Sequence, residues 1–210
     1  MFEMIQAGGV LMIPILLCSV IATVIVLERL WTLQEKKIAP KHLVAQVWQW
    51  HKSNSVDEEH LRALSSNSPL GRVLASGLAN RAHPREFMKE AIEETGRQVV
   101  QELERYLNTL GTIASVSPLL GLLGTVIGMI KVFADITSMG VGNPGALAGG
   151  ISMALITTAA GLTVAIPTLI FYRYFRGKVD SLVLVMEEEA LKIVDVMHGV
   201  REQAGAEGNG

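Results

Sequence analysis

Three long stretches of the sequence contain no Asp, Glu, Lys, Arg or His: residues 4–27, 106–130 and 136–172. A bilayer core about 30 Å thick needs roughly 20 apolar helical residues, so each stretch is long enough to cross a membrane. Residues 140–145 of the third stretch are mostly Gly, Asn and Pro, which form turns. The pattern predicts three transmembrane helices, at about 8–27, 109–132 and 147–172, with a hairpin loop at about 137–145.

The first stretch has two interpretations, a retained helix and a cleaved signal peptide. A signal peptide carries basic residues ahead of a short apolar core. Here Glu3 is the one charge before the run, and the run is long. We therefore expect a retained helix. Pro14 lies in its first half, where a kink is tolerable if neighbouring segments satisfy the freed carbonyl.

The distribution of Lys and Arg predicts which way the helices cross the membrane. Twelve of the 18 lie between the first and second helices, five follow the third, and Lys131 lies near the hairpin. Cytoplasmic loops carry the excess of positive charge. We therefore expect the N-terminus and the hairpin in the periplasm, and the middle region and C-terminus in the cytoplasm. Lys131 and Asp135, four residues apart, are expected to form an interfacial pair.

The regions outside these stretches show helical periodicity. Apolar residues recur at three- and four-residue spacing over 87–110 and over 179–197. Because no proline lies between Arg85 and Ser117, the first of these helices is expected to run straight into the second transmembrane helix. The chain thus divides into an N-terminus with the first transmembrane helix (1–31), a cytoplasmic helical region (32–108), the second and third transmembrane helices (109–175), and a cytoplasmic C-terminal helix with a disordered tail (176–210).

Small residues occur in the second and third transmembrane helices at spacings that favour close helix packing. We assign this packing role to Gly121, Gly124, Gly128, Gly161 and Pro167. Two explanations stay open: the helices pack on each other within one chain, or on helices of other chains. Three helices bury little of so much small-residue surface, so we favour an oligomer.

Hydroxyl side chains share these surfaces. In the second helix two of them flank Gly121 at four-residue spacing, and in the third two share an arc of about 80° with Gly161. Such faces could line a narrow wet path; alternatively, each hydroxyl bonds the carbonyl three or four residues back. We favour the path for the paired faces together. The residues that we assign to a pore or proton pathway are Ser117, Thr125, Thr157, Thr158 and Thr168.

Other classes of protein are disfavoured by what the sequence lacks. A protein that moved protons alone would hold an ionisable relay inside a span. No carboxylate, Lys, Arg or His lies deep in any predicted span, so if the chain forms a proton path, a partner must supply the titrating group. We find no phosphate-binding GxxxxGK[ST] loop, no catalytic triad and one cysteine, Cys18, and the five histidines are scattered. We therefore expect no enzymatic activity, no metal and no cofactor. A net charge of −2 without a basic stripe gives no reason to expect nucleic-acid binding.

Two sequence blocks then resemble the ExbB/TolQ/MotA proton-channel family, most closely its ExbB branch. They are PLLGLLGTV (118–126) and GGISMALITTAAGLTVAIP (149–167). The resemblance implies a homopentamer of all-α, three-span chains in the bacterial inner membrane. Its central pore would hold helices of an ExbD-type single-span partner that carries a membrane aspartate. It further implies that proton flow drives a TonB-like protein in outer-membrane transport, and that Thr125 and Thr158 are the pore threonines.

One position departs from the family pattern. Better-known ExbB and TolQ proteins carry a glutamate where this chain has Met153, so any role of that glutamate cannot be transferred. The departure leaves the proton path dependent on the partner's carboxylate, or leaves a channel that conducts differently. A non-conducting structural scaffold for the partner helices is a separate alternative. A TolQ-like role in the Tol–Pal envelope and division system is a further alternative.

Overall fold

The computed structural model describes residues 8–53, 57–139 and 144–197. Within these ranges all regular structure is α-helical. The helices are α1 (Met12–Thr32), α2 (Glu35–Ile38), α3 (His42–Lys52), α4 (Glu58–Asn67), α5 (Pro69–Ala79), α6 (Arg85–Leu103), α7 (Leu107–Met139) and α8 (Pro144–Met197). Three segments are long and apolar enough to cross a membrane: Met12–Thr32, Arg85–Ser138 and Leu147–Asp195. The expectation of an all-α chain with three such helices is confirmed.

The chain forms two compact units. The first, which we call the membrane unit, contains the described residues 8–29, 106–139 and 144–175, and so the described parts of all three charge-free stretches. The second contains residues 30–53, 57–105 and 176–197 and most of the charged residues. We call it the charged unit. Helix α8 contributes residues to both.

Helix α1 begins later than the hydropathy pattern predicts. Gly9 has a φ of +70°, which glycine adopts without steric cost, and its carbonyl oxygen accepts a hydrogen bond from the N–H of Met12 at 3.1 Å. Pro14 therefore lies in the first turn, where a backbone N–H has no partner inside the helix. The proline ring fits there without the kink that a mid-helix position would cause.

The prediction that α6 runs straight into the second transmembrane helix is wrong. Helix α6 ends at Leu103, a turn occupies residues 104–106, and α7 begins at Leu107. Tyr106 has a φ of +64°, in the left-handed region that carries a steric cost for a side chain of this size. The Tyr106 ring lies 5.6 Å from the Arg29 guanidinium carbon, a cation–π contact that favours this geometry.

Helices α7 and α8 extend into the predicted hairpin from both sides. Residues 137–139 belong to α7 and residues 144–145 to α8, while residues 140–143 lie outside the described part of the chain. The tail predicted to be disordered also lies outside it. Pro118 and Pro167 lie inside α7 and α8 respectively.

The charged unit is held by an apolar core and by caps. Leu74 and Leu78 of α5 and Met88 of α6 are fully buried. The Ser68 hydroxyl accepts a hydrogen bond from the Gly71 N–H at 3.0 Å and caps α5, which begins with a proline. Arg72 binds Glu102 through two parallel hydrogen bonds of 2.7 and 2.6 Å, a geometry that favours both charged forms.

One histidine of the charged unit packs against an aromatic ring. His60 is half-buried, and its ring centroid lies 4.5 Å from that of Trp50. The backbone N–H of His60 donates to Asp57, which caps α4 and thereby holds the pKa of the Asp57 carboxyl below its usual value. The His60 ring therefore packs at the start of α4.

Candidate functional site

The membrane unit contains a close contact between α7 and α8, built from glycines. A Cβ atom added to Gly161 would lie 2.6 Å from the carbonyl oxygen of Ser117, and one added to Gly121 would lie 3.0 Å from the Cα of Thr158. Both distances are tighter than ordinary packing, and both involve backbone atoms of the facing helix. A side chain at position 161 would thus force the helices apart, and at position 121 glycine fits where a Cβ would be crowded by backbone atoms.

The same contact continues towards the end of α7. A Cβ on Gly128 would lie 2.8 Å from the Cβ of Ala154, and one on Gly124 would overlap the Thr157 side chain. All four glycines that the sequence assigned to packing therefore lie between two helices of one chain. This geometry supplies a use for the small residues within one chain, the alternative to packing on helices of other chains.

Pro167 lies in a different environment from the four glycines. It is exposed, and together with Thr168 of α8 and Thr23 of α1 it borders a groove of about 230 Å³ within the membrane unit. Its ring supplies no N–H to the helix. The structure thus gives Pro167 a position in this groove, while the glycines lie in the α7–α8 contact.

Two of the five hydroxyls link α8 to other segments of the membrane unit. The Thr158 Oγ1 donates to the carbonyl oxygen of Gly121 at 3.0 Å and so joins α8 to α7. The fully buried Thr157 Oγ1 donates to its own helix at Met153, 2.7 Å away, and lies 3.2 Å from the Gly8 carbonyl oxygen. The sequence pattern could not reveal either link, because both depend on which helices are neighbours.

Two other hydroxyls make the hydrogen bonds that membrane helices commonly provide. The half-buried Thr125 Oγ1 donates to Leu122 and the buried Thr168 Oγ1 to Val164, each over 2.6 Å. The Ser117 hydroxyl is fully buried and has no hydrogen-bond partner within the described residues. The two hydroxyl-bearing faces therefore meet each other at Gly121 and Thr158, and Thr125 remains partly open.

Met153 of α8 has a charged neighbour on α7. The Lys131 ammonium lies 3.8 Å from the Sδ of Met153, and a Cβ on Gly9 would lie 2.5 Å from the methionine methyl group. Among the described residues, Asp135 has no salt-bridge partner within 4.0 Å, so the expected pair between Lys131 and Asp135 does not form. Lys131 extends across to α8 instead.

The described residues contain no group of three or more His, Cys, Asp or Glu side chains that could hold a metal ion. The α7–α8 contact offers a set of hydroxyl and backbone oxygens, and residues 106–130 and 144–172 around it include no Asp, Glu, Lys, Arg or His. Such oxygens can bind water or a partner's carboxyl group but cannot themselves exchange a proton near neutral pH.

Three apolar helices with a close glycine contact define a multi-pass α-helical membrane protein. The model of the MotA/TolQ/ExbB proton channel family matches residues 65–188. The ExbB-like protein 3 of Synechocystis sp., named a biopolymer transport protein, is 31% identical over 201 residues, which cover 94% of this chain and 95% of that protein. The biopolymer transport protein exbB1 of Vibrio cholerae is 31% identical over 170 residues, covering 78% and 74%.

A second Synechocystis protein, ExbB-like 1, is 37% identical over 174 residues, which cover 79% of this chain and 66% of that protein. The chain belongs to the MotA/TolQ/ExbB proton channel family and is close to its ExbB branch. The family thus agrees with the resemblance in the two sequence blocks.

Proposed function

We propose that this chain is an inner-membrane proton-channel subunit that acts with an ExbD-type single-span partner to convert proton-motive force into mechanical work for a TonB-like protein. The observation that carries the proposal is that the charge-free stretches of this proton-channel family member contain no Asp, Glu, Lys, Arg or His. A proton path needs a titrating group in the membrane. The partner's membrane aspartate would supply it.

The geometry supports different tasks for the two pore threonines. Thr158 is tied to α7 through Gly121 and would hold the two helices in register. Thr125 is half-buried and would present its oxygen to the pore of a homopentamer, where it would bind water or the charged form of the partner's aspartate. Each proton that crosses yields about 2.3 kcal/mol per 100 mV of membrane potential, so several together could drive a movement.

In this proposal the N-terminus and the hairpin face the periplasm and the C-terminus lies in the cytoplasm. Residues 32–108 and 176–210 would project from the membrane on the cytoplasmic side. The support for this orientation is the distribution of Lys and Arg. Fusing a reporter that matures on one side of the membrane to each segment tests the orientation directly.

The first test is the removal of the Thr125 hydroxyl in the complex. The chain is co-purified with its ExbD-type partner, and proton flux is measured in liposomes for the wild type and for Thr125→Val. The matched control is Thr163→Val, because Thr163 is an exposed threonine of α8 that also bonds its own helix, at Ala159. We expect reduced flux for Thr125→Val with the complex intact, and wild-type flux for the control.

Met153 is the observation that favours a second function, a non-conducting scaffold for the partner helices. A methionine against the Lys131 ammonium offers no group that exchanges protons. A stable complex that passes no protons, either as the wild type or as any of these variants, would support the scaffold. A gene for a Tol–Pal component next to this one would favour the TolQ-like alternative over the TonB pathway.

A further inference from the structure

The charged unit contains a groove that the proposed proton path does not use. It has a volume of about 400 Å³ and lies between α5, α6 and the part of α8 in this unit. Val73, Ile92, Val100, Val183, Met186 and Ala190 form its apolar lining. This volume is within the range of about 300 to 1,000 Å³ that is typical of binding pockets. The groove is therefore large enough to receive several side chains of another molecule.

Gly96 lies in the lining of this groove, in the middle of α6. A Cβ atom added there would meet nothing within 4 Å. Glycine destabilises a helix interior relative to alanine, and packing within the described residues does not require it at this position. The missing side chain leaves space in which a second backbone could approach α6 closely. By contrast, a Cβ atom added to Gly77 would lie 2.8 Å from the Ile92 Cδ1 atom, so the space beside that glycine is already filled by its own unit.

The charges around the groove are unequally paired. Arg97 binds Glu94 at 2.6 Å, and Lys192 binds its neighbours Glu188 and Glu189. Glu93 and Glu187 both line the groove and are exposed, and neither has a salt-bridge partner within 4.0 Å among the described residues. Arg97 also lines the groove, but it is paired with Glu94, so the charges of the lining that lack a salt-bridge partner are the two carboxylates, one on α6 and the other on α8.

We infer that this groove binds a short cationic amphipathic helix of a partner protein. Its apolar side chains would fill the floor, as in other helix-in-groove complexes, with the backbone over Gly96 and Lys or Arg side chains at Glu93 and Glu187. Complementary charge of this kind fixes orientation and speeds association. Cytoplasmic segments next to transmembrane helices are rich in Lys and Arg. The identification of the occupant as such a segment rests on the proposed function. The preference of the groove for a cationic amphipathic helix rests on its lining alone.

The test uses the full chain in nanodiscs of zwitterionic lipid. The probe is a fluorescein-labelled 14-residue peptide of Leu, Ala and Lys, with leucines at helical positions i, i+3, i+4 and i+7 and lysines on the opposite face. A scrambled peptide and empty nanodiscs measure non-specific binding. Fluorescence anisotropy gives the affinity for the wild type, for Gly96→Leu and for the double variant E93Q/E187Q.

Two matched controls exist in the same unit. Gly177→Leu places the same side chain at an open glycine of a different helix, α8. E188Q removes the carboxylate of Glu188, which is adjacent to Glu187 and is already paired with Lys192. We expect Gly96→Leu to abolish binding and E93Q/E187Q to weaken it by about tenfold at low salt, with most of that difference lost at high salt. Both controls should bind as the wild type does.

Three outcomes would overturn the inference. Equal binding of the scrambled peptide would show that charge and lipid account for the signal. Equal affinity for Gly96→Leu and Gly177→Leu would place the binding elsewhere. A change in subunit number for Gly96→Leu, without a change in peptide affinity, would assign the groove to a second copy of the chain. Proton flux enters none of these readouts, so failure here and failure of the channel function are distinguishable.

Discussion

The two units of this chain are stabilised by different means. In the membrane unit, α7 and α8 meet through glycines and a hydroxyl-to-carbonyl bond, while many large side chains such as Leu119 point outward. In the charged unit, leucines are fully buried and charged side chains form ion pairs at the surface. Burying a leucine contributes little free energy in lipid, because the lipid tails are equally apolar, so the helices of the membrane unit associate through close backbone packing instead. In water, the burial of apolar side chains drives folding.

The largest expected effect comes from deleting a buried leucine in the charged unit. Leu74→Ala should lower the free energy of unfolding by about 4 kcal/mol, because it leaves a cavity in a packed core. Leu119→Ala in the membrane unit should leave it nearly unchanged, because Leu119 is 61% exposed. Thermal unfolding in detergent compares the two; similar losses would contradict the contrast between the units.

The second prediction is that replacing glycine by alanine changes the stability in opposite directions at two positions. Gly161→Ala forces a methyl group to within 2.6 Å of the Ser117 carbonyl oxygen, and overpacking of this kind should cost about 3 kcal/mol. Gly96→Ala meets open space and should stabilise α6 by up to about 1 kcal/mol. The two melting temperatures, relative to wild type, should therefore move in opposite directions. Shifts of the same sign would mean that the α7–α8 contact is looser than described.

A smaller effect is expected from Thr158→Val, which removes the bond between α8 and the Gly121 carbonyl oxygen. Interhelical bonds in membranes contribute about 1 kcal/mol. Thr163→Val removes a bond within one helix and is the control. Unfolding of the two variants under identical conditions isolates the interhelical part, and equal stability would place Thr158 outside the helix contact.

The smallest effect concerns the pair of Arg72 and Glu102. Hydrogen bonds from Arg72 hold the pKa of the Glu102 carboxyl below its usual value of 4.5. The pair therefore stabilises the fold above that pH, and its contribution is lost as the pH falls through the lowered pKa. Both side chains are partly exposed, so we expect less than about 1 kcal/mol. Glu102→Gln should flatten this part of the stability curve, and an unchanged acid dependence would contradict it.

The sequence predicted the features that depend on composition and spacing. Runs without charge mark the three apolar helices, and glycines four apart predict a close contact. The break at Tyr106 could not be predicted, since no glycine or proline marks it and its geometry involves Arg29, far away in the sequence. The contact of Lys131 with Met153 could not be predicted for a related reason. Sequence spacing predicts contacts between residues of the same helix, whereas Lys131 lies on α7 and Met153 on α8.

The measurement that tests the central claim most directly is proton flux in liposomes with this chain alone, with its ExbD-type partner, and with a partner whose membrane aspartate is replaced by asparagine. The charge-free stretches contain no Asp, Glu, Lys, Arg or His, so in the proposed mechanism the partner carries the titrating group. We predict flux only when both wild-type chains are present. Flux through this chain alone, or undiminished flux with the asparagine variant, would contradict the account.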